Sequence, residues 1–130
     1  MEMKVISAGG KKVDALYEGF TIKTDQSKAY GGDETEPEPF DMFLASIGTC
    51  AGINVIAFCQ NRSISTDGIE LTLTFDRNPD THMIETIVID IDLPEDFPEK
   101  YLATVKRVVD QCAVKKHMLN PPAFEININN

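Results

Sequence analysis

From Met42 to Phe58 the chain carries no charged side chain. Around this stretch, Phe40, Phe43, Leu44, Ile47, Ala51, Val55 and Phe58 recur at helical spacing, which predicts a mostly buried helix from about Pro39 to Arg62. A helix that is apolar all round must be covered on every side. One sheet of the size this chain can build covers a single face. The simplest source of a second layer is a two-fold homodimer, swapped or interlocked. Gly48 and Gly52 weaken the helix in its middle, so a bend or break is expected near Thr49 and Cys50.

The rest of the chain mostly follows the two-residue period of strands. Val13, Ala15 and Tyr17 alternate with polar residues, Gly19 marks a turn, and Phe20 and Ile22 continue the pattern. Gly9-Gly10 turns a first short strand into this pair. Ile69, Leu71, Leu73 and Phe75 form one alternating run, and Ile87, Ile89, Ile91 and Leu93 form another. Asn78-Pro79-Asp80 between them signals an antiparallel hairpin. A second helix is expected from Pro98 to Cys112, carrying the stripe Tyr101, Leu102, Val105, Val108, Val109 and Cys112. Phe124, Ile126 and Ile128 predict a last strand. Strands and helices are segregated, which gives the α+β class with largely antiparallel sheet, in one domain over residues 1–130.

Composition narrows the function. The net charge of −9 repels phosphate backbones and anionic lipid surfaces, so neither nucleic acid nor membrane is an expected partner. Charges interrupt the apolar N-terminus, so it does not read as a signal peptide. No segment is expected to span a bilayer. Three cysteines, an odd number, do not suit a secreted disulfide framework, and a reducing cytoplasm is the expected setting.

Within this frame the chemistry-bearing residues are few. Cys50 lies beside Gly48 and Thr49, where a restarting helix would offer unpaired amides to a thiolate. From position alone it reads more readily as a small buried packing residue, as does Cys112 at the end of the second stripe. A thiolate oxidised to sulfenic acid needs a second thiol nearby, and two helices packed on one sheet can supply it. Cys59 faces away from Cys50 and reads as core. Asn54, one helical turn from Cys50, either supports it or is a satisfied core amide. His82 and His117 have neither a partner histidine nor a Cys-x-x-Cys beside them, so no metal or other cofactor is expected.

Taken together, certain pieces resemble the OsmC/Ohr family of thiol peroxidases over nearly the whole chain. These are the run Gly19 to Asp25 leading into Gly31-Gly32, Pro39 opening a helix that reaches Gly48-Thr49-Cys50, the segment Arg62-Ser63-Ile64, and Gln111-Cys112-Ala113-Val114. The resemblance implies an intertwined homodimer in which two sheets wrap central helices. It implies Cys50 as the peroxidatic and Cys112 as the resolving cysteine. The implied substrates are organic hydroperoxides and, less efficiently, hydrogen peroxide, with dithiols as reductants. The chain departs from the family's hydroperoxide reductases at three points. Phe40 stands where they have a glutamate, the N-terminal strands carry no arginine, and Ala113 replaces the proline that usually follows the second cysteine. The alternative is the same fold acting as a non-catalytic binder, with an apolar small molecule held at the dimer interface around Phe40, Phe43, Cys50 and Asn54.

Overall fold

The computed structural model describes residues 1–130. Its elements in order are β1 (Lys4–Ser7), β2 (Val13–Tyr17), β3 (Phe20–Thr24), α1 (Pro39–Asn61), β4 (Glu70–Arg77), β5 (Ile84–Asp92), α2 (Leu102–Asp110) and α3 (Ala113–Leu119). All strand pairings are antiparallel, so the α+β class stands. The chain forms two compact units, Met1–Ala45 and Ser46–Asn130.

In the first unit β1, β2 and β3 form a meander. Gly9 and Gly10 turn the chain with φ of +99° and +58°, where a Cβ would be strained. The polar loop after β3 closes on Asp25, which is only 1% exposed. Its carboxylate accepts hydrogen bonds from the amides of Gln26 (2.8 Å) and Thr35 (3.2 Å) and from Thr35 Oγ1 (3.0 Å). Burial pushes this carboxyl up, but those donors, with Lys12 Nζ at 3.9 Å, hold it below its ordinary range. Gly32 is required here, because a Cβ would stand 2.0 Å from the Gln26 carbonyl oxygen.

In the second unit β4 and β5 form a hairpin whose turn is held by Asn78 Oδ1, which accepts from the amides of Asp80 and Thr81. Alternation puts Leu71, Ile89 and Ile91 against a core of Ala51, Val55, Phe58 and Cys59 from α1 with Phe97, Val105 and Val109. Val105 and Val109 are one turn apart, which is how a short amphipathic helix offers a single stripe.

Four sequence expectations are corrected. First, α1 runs unbroken from Pro39 to Asn61, with no break at Thr49 or Cys50. Gly48 instead permits close packing, since a Cβ there would meet Leu73 Cδ1 at 3.2 Å. Second, α1 has 23 residues and mean hydropathy 1.9 over its most apolar window, long and apolar enough by length and composition to cross a membrane. Here one side of it is core. Third, the second helix is not a single element to Cys112. A 3-10 turn at Glu99–Tyr101 leads into α2, which tightens through i→i−3 bonds from Gln111 N to Val108 O and from Cys112 N to Val109 O. Cys112 is then extended (φ −64°, ψ 142°) and caps a further helix, α3. Fourth, Phe124, Ile126 and Ile128 form no strand and are 86%, 88% and 93% exposed. Alternation makes a segment able to pair, but a strand needs a neighbour, and this tail pairs with none of the chain's strands.

Candidate active site around two cysteines

The break after α2 decides the chemistry of the site. A helix leaves its first amides without intrahelical partners, and at α3 two sulfurs take them. Cys112 Sγ accepts from the amide of Lys115 at 3.3 Å, acting as the N-cap, while the Cys112 carbonyl accepts from the amide of Lys116 at 3.0 Å. Cys50, from the middle of α1, comes close enough to the start of α3 for the amides of Val114 and Ala113 to act on its thiol.

Cys50 is half-buried and Cys112 is buried. The Val114 N–H is the largest influence on Cys50 and holds its thiol below the ordinary range. Burial opposes it, and the Cys112 S–H and the Ala113 N–H add to the lowering. No charged side chain contributes to this effect. The lowering therefore comes from neutral donors, two backbone amides and a thiol. Cys59 makes the contrast within the same helix: it is fully buried in the core, and burial pushes its thiol up.

Asn54 stands one turn beyond Cys50 and donates from Nδ2 to the Val108 carbonyl at 2.8 Å. That bond ties α1 to the last turn of α2, just before the segment that carries Cys112. Lys115 pairs with Asp110 across the same junction. The structure thus brings Cys50, Cys112 and Asn54 together within the second unit. Phe40 and Phe43 lie in the first unit, where their rings pack on each other at 5.7 Å and are 45% and 39% exposed.

The sequence reading missed α3 and the two amides it supplies. A signal existed in Ala113 to Leu119, a run of good helix formers with Lys116 and His117 in the last turn. It was masked because Cys112 also fits the end of the preceding stripe, and cysteine is not among the usual N-cap residues.

A family model described as OsmC-like protein matches residues 31–127 of the chain. A search of curated protein sequences finds no match. Several solved structures share the fold. A Psychrobacter arcticus protein assigned to osmotic stress induction and a detoxification response is 19% identical, covering 88% of this chain and 85% of its own, with a TM-score of 0.74. An OsmC-like protein from Mycoplasma pneumoniae is 12% identical over 92% of this chain and 87% of its own, with a TM-score of 0.71. An organic hydroperoxide resistance protein OsmC from Legionella pneumophila is 13% identical over 91% and 89%, with a TM-score of 0.52.

Proposed function

Because the chain belongs to the OsmC-like family, we propose that it is a thiol peroxidase that reduces organic hydroperoxides through Cys50, with Cys112 as the resolving thiol. The single observation that supports this reading best is the sharing of the α3 amides between the two sulfurs, Ala113 and Val114 on Cys50 and Lys115 on Cys112. A thiolate is the form that attacks peroxide, and these donors favour it without the arginine that the family's hydroperoxide reductases use. The departure at Ala113 belongs to the same account. Proline has no N–H, so alanine at this position adds a donor at the Cys50 sulfur.

In the proposed cycle the Cys50 thiolate attacks the terminal oxygen of the hydroperoxide. An S–O bond forms, the O–O bond breaks, and the alkoxide leaves and takes a proton from solvent to give the alcohol. Cys50 is now a sulfenic acid. Cys112 sulfur attacks it, the S–O bond breaks, water leaves with the thiol proton, and a disulfide remains. An external dithiol restores both thiols and is itself oxidised. Asn54 positions the Cys112 segment during this exchange and touches no reacting atom.

The test is catalytic consumption of cumene hydroperoxide with dithiothreitol as reductant. Turnover that is lost in Cys50→Ser and kept in Cys59→Ser is expected. A wild-type protein that leaves the peroxide unconsumed over hours overturns the proposal.

A homodimer is part of the same proposal. Ile53, in the uncharged stretch of α1, is 60% exposed, and the apolar tail at Phe124, Ile126 and Ile128 is open as well. Faces of this kind call for a covering layer. Sedimentation velocity at low micromolar concentration should give twice the 14.4 kDa chain mass. A stable monomer contradicts it.

A further inference from the structure

Beyond the thiol pair, the face of α1 that carries Cys50 continues through Asn54 and Ala57 to Asn61, three helical turns on. There it borders a cleft of about 460 Å³ between α1 and α2. Its apolar lining comes from Ala57, Phe58 and Val108, and Asn61 and Gln111 add neutral amides. Arg62 is its one charged group. The Arg62 guanidinium lies over the Phe58 ring, 3.9 Å from the centroid, with the Tyr101 ring at 5.4 Å. Those rings meet edge to face, 5.4 Å apart, so the platform beneath the cation is fixed.

What distinguishes this exposed cation is the aromatic platform it sits on. The salt bridges of the chain use only Lys12 and Lys115, so Arg62, like most of its basic residues, pairs with no acid. Its guanidinium hydrogen-bonds to no acceptor of the chain. A guanidinium seated over an aromatic ring still has N–H donors to offer a carboxylate. Alongside it lie apolar wall and neutral amides, in a cleft within the volume range of small-molecule sites. Arg107 lies close by, its Nη2 donating to the lining Thr104 Oγ1 at 3.2 Å, and Lys100 Nζ stands 5.0 Å from the Tyr101 ring, so the apolar wall rather than the count of cations favours an organic carboxylate.

We infer that the cleft binds a small organic carboxylate, its head on Arg62 and its apolar part along Ala57 and Val108. This site is separate from the Cys50 sulfur and does not depend on peroxide chemistry.

The test uses the full reduced chain, ¹⁵N-labelled, titrated with octanoate and, in parallel, with octanol. Octanoate should give saturable shifts at the Arg62 Nε–H and the side-chain amides of Asn61 and Gln111, with octanol about tenfold weaker or more. Arg62→Met, which keeps the stacking bulk and removes the charge, should weaken octanoate about tenfold. Asn61→Asp, which places a carboxylate beside Arg62, should also weaken it and provides a second variant should Arg62→Met fail to fold. Absence of saturable shifts overturns the inference, and so does equal affinity for octanol. Unchanged binding in Arg62→Met or Asn61→Asp overturns it too. A change of oligomeric state in Arg62→Met assigns the cleft to a second copy of the chain and likewise overturns it. Peroxide turnover is not among these readouts, so loss of one proposal leaves the other standing.

Discussion

Replacing Asn54 separates holding the site together from activating it. The bond from Asn54 Nδ2 to the Val108 carbonyl is short, at 2.8 Å, and joins two helices. A neutral hydrogen bond contributes about 1 kcal/mol net, and orphaning a buried partner adds about 1–3 kcal/mol. The second cost is largely avoided here, because the Val108 carbonyl also accepts from the Gln111 amide at 3.3 Å. Asn54→Ala should therefore cost about 1–1.5 kcal/mol. For a chain of this size that is about 3–7 °C in Tm. Asn54→Asp is nearly isosteric but sets a carboxylate against the carbonyl and should cost about 2–3 kcal/mol at neutral pH. Urea unfolding with an unchanged m-value measures both. A second readout is the rate at which one equivalent of cumene hydroperoxide closes a disulfide. That rate should fall in Asn54→Ala, while the pH dependence of Cys50 alkylation stays where it was, because Asn54 supplies no donor to that sulfur. Equal stability of the alanine and aspartate variants would refute the reasoning, as would disulfide closure at the wild-type rate.

Other consequences follow from particular residues. Ala113→Pro removes one donor to Cys50 and should move its iodoacetamide pH profile to higher pH, toward the ordinary thiol range, with α3 intact because proline suits a first helical position and Cys112 is already extended at ψ 142°. Superposable profiles would contradict the role given to that amide. Asp25 has a folded-state carboxyl below its ordinary range, so its contribution to stability is fully present above about pH 4 and is lost as pH falls through the folded value. Asp25→Asn should lower stability at pH 7 and flatten the dependence on the acid side, which urea midpoints across pH 2–7 measure. Gly32→Ala has to displace the Gln26 carbonyl and should cost more than about 2 kcal/mol by urea unfolding. A neutral effect would mean the loop is not held as described.

Much of the fold was legible because hydrophobic period and turn chemistry agree. The meander through Gly9-Gly10 and Gly19, the hairpin around Asn78, and α1 from Pro39 to Asn61 all stand where pattern and turn residues coincide. What failed depended on partners that pattern does not encode. Gly48 looked like a weak point in a helix and is a packing contact with Leu73. Phe124 to Ile128 had the period of a strand but pairs with none of the chain's strands. At the site, the sequence drew attention to Cys50 and Cys112 but left the origin of any activation open. The groups that lower the Cys50 thiol are the Val114 amide, the Cys112 thiol and the Ala113 amide, and a search of side chains alone cannot find the two amides. They became visible only once α2 ended at Asp110 and a new helix began beyond Cys112.

Cys50 and Cys112 are proposed to act as one redox pair. The most direct test is peptide mapping by mass spectrometry after one equivalent of cumene hydroperoxide, with free thiols alkylated before digestion. The prediction is an intramolecular Cys50–Cys112 disulfide with Cys59 fully alkylated, and a trappable Cys50 sulfenic acid in Cys112→Ser. Recovery of all three cysteines as alkylated thiols, or oxidation centred on Cys59, would contradict it.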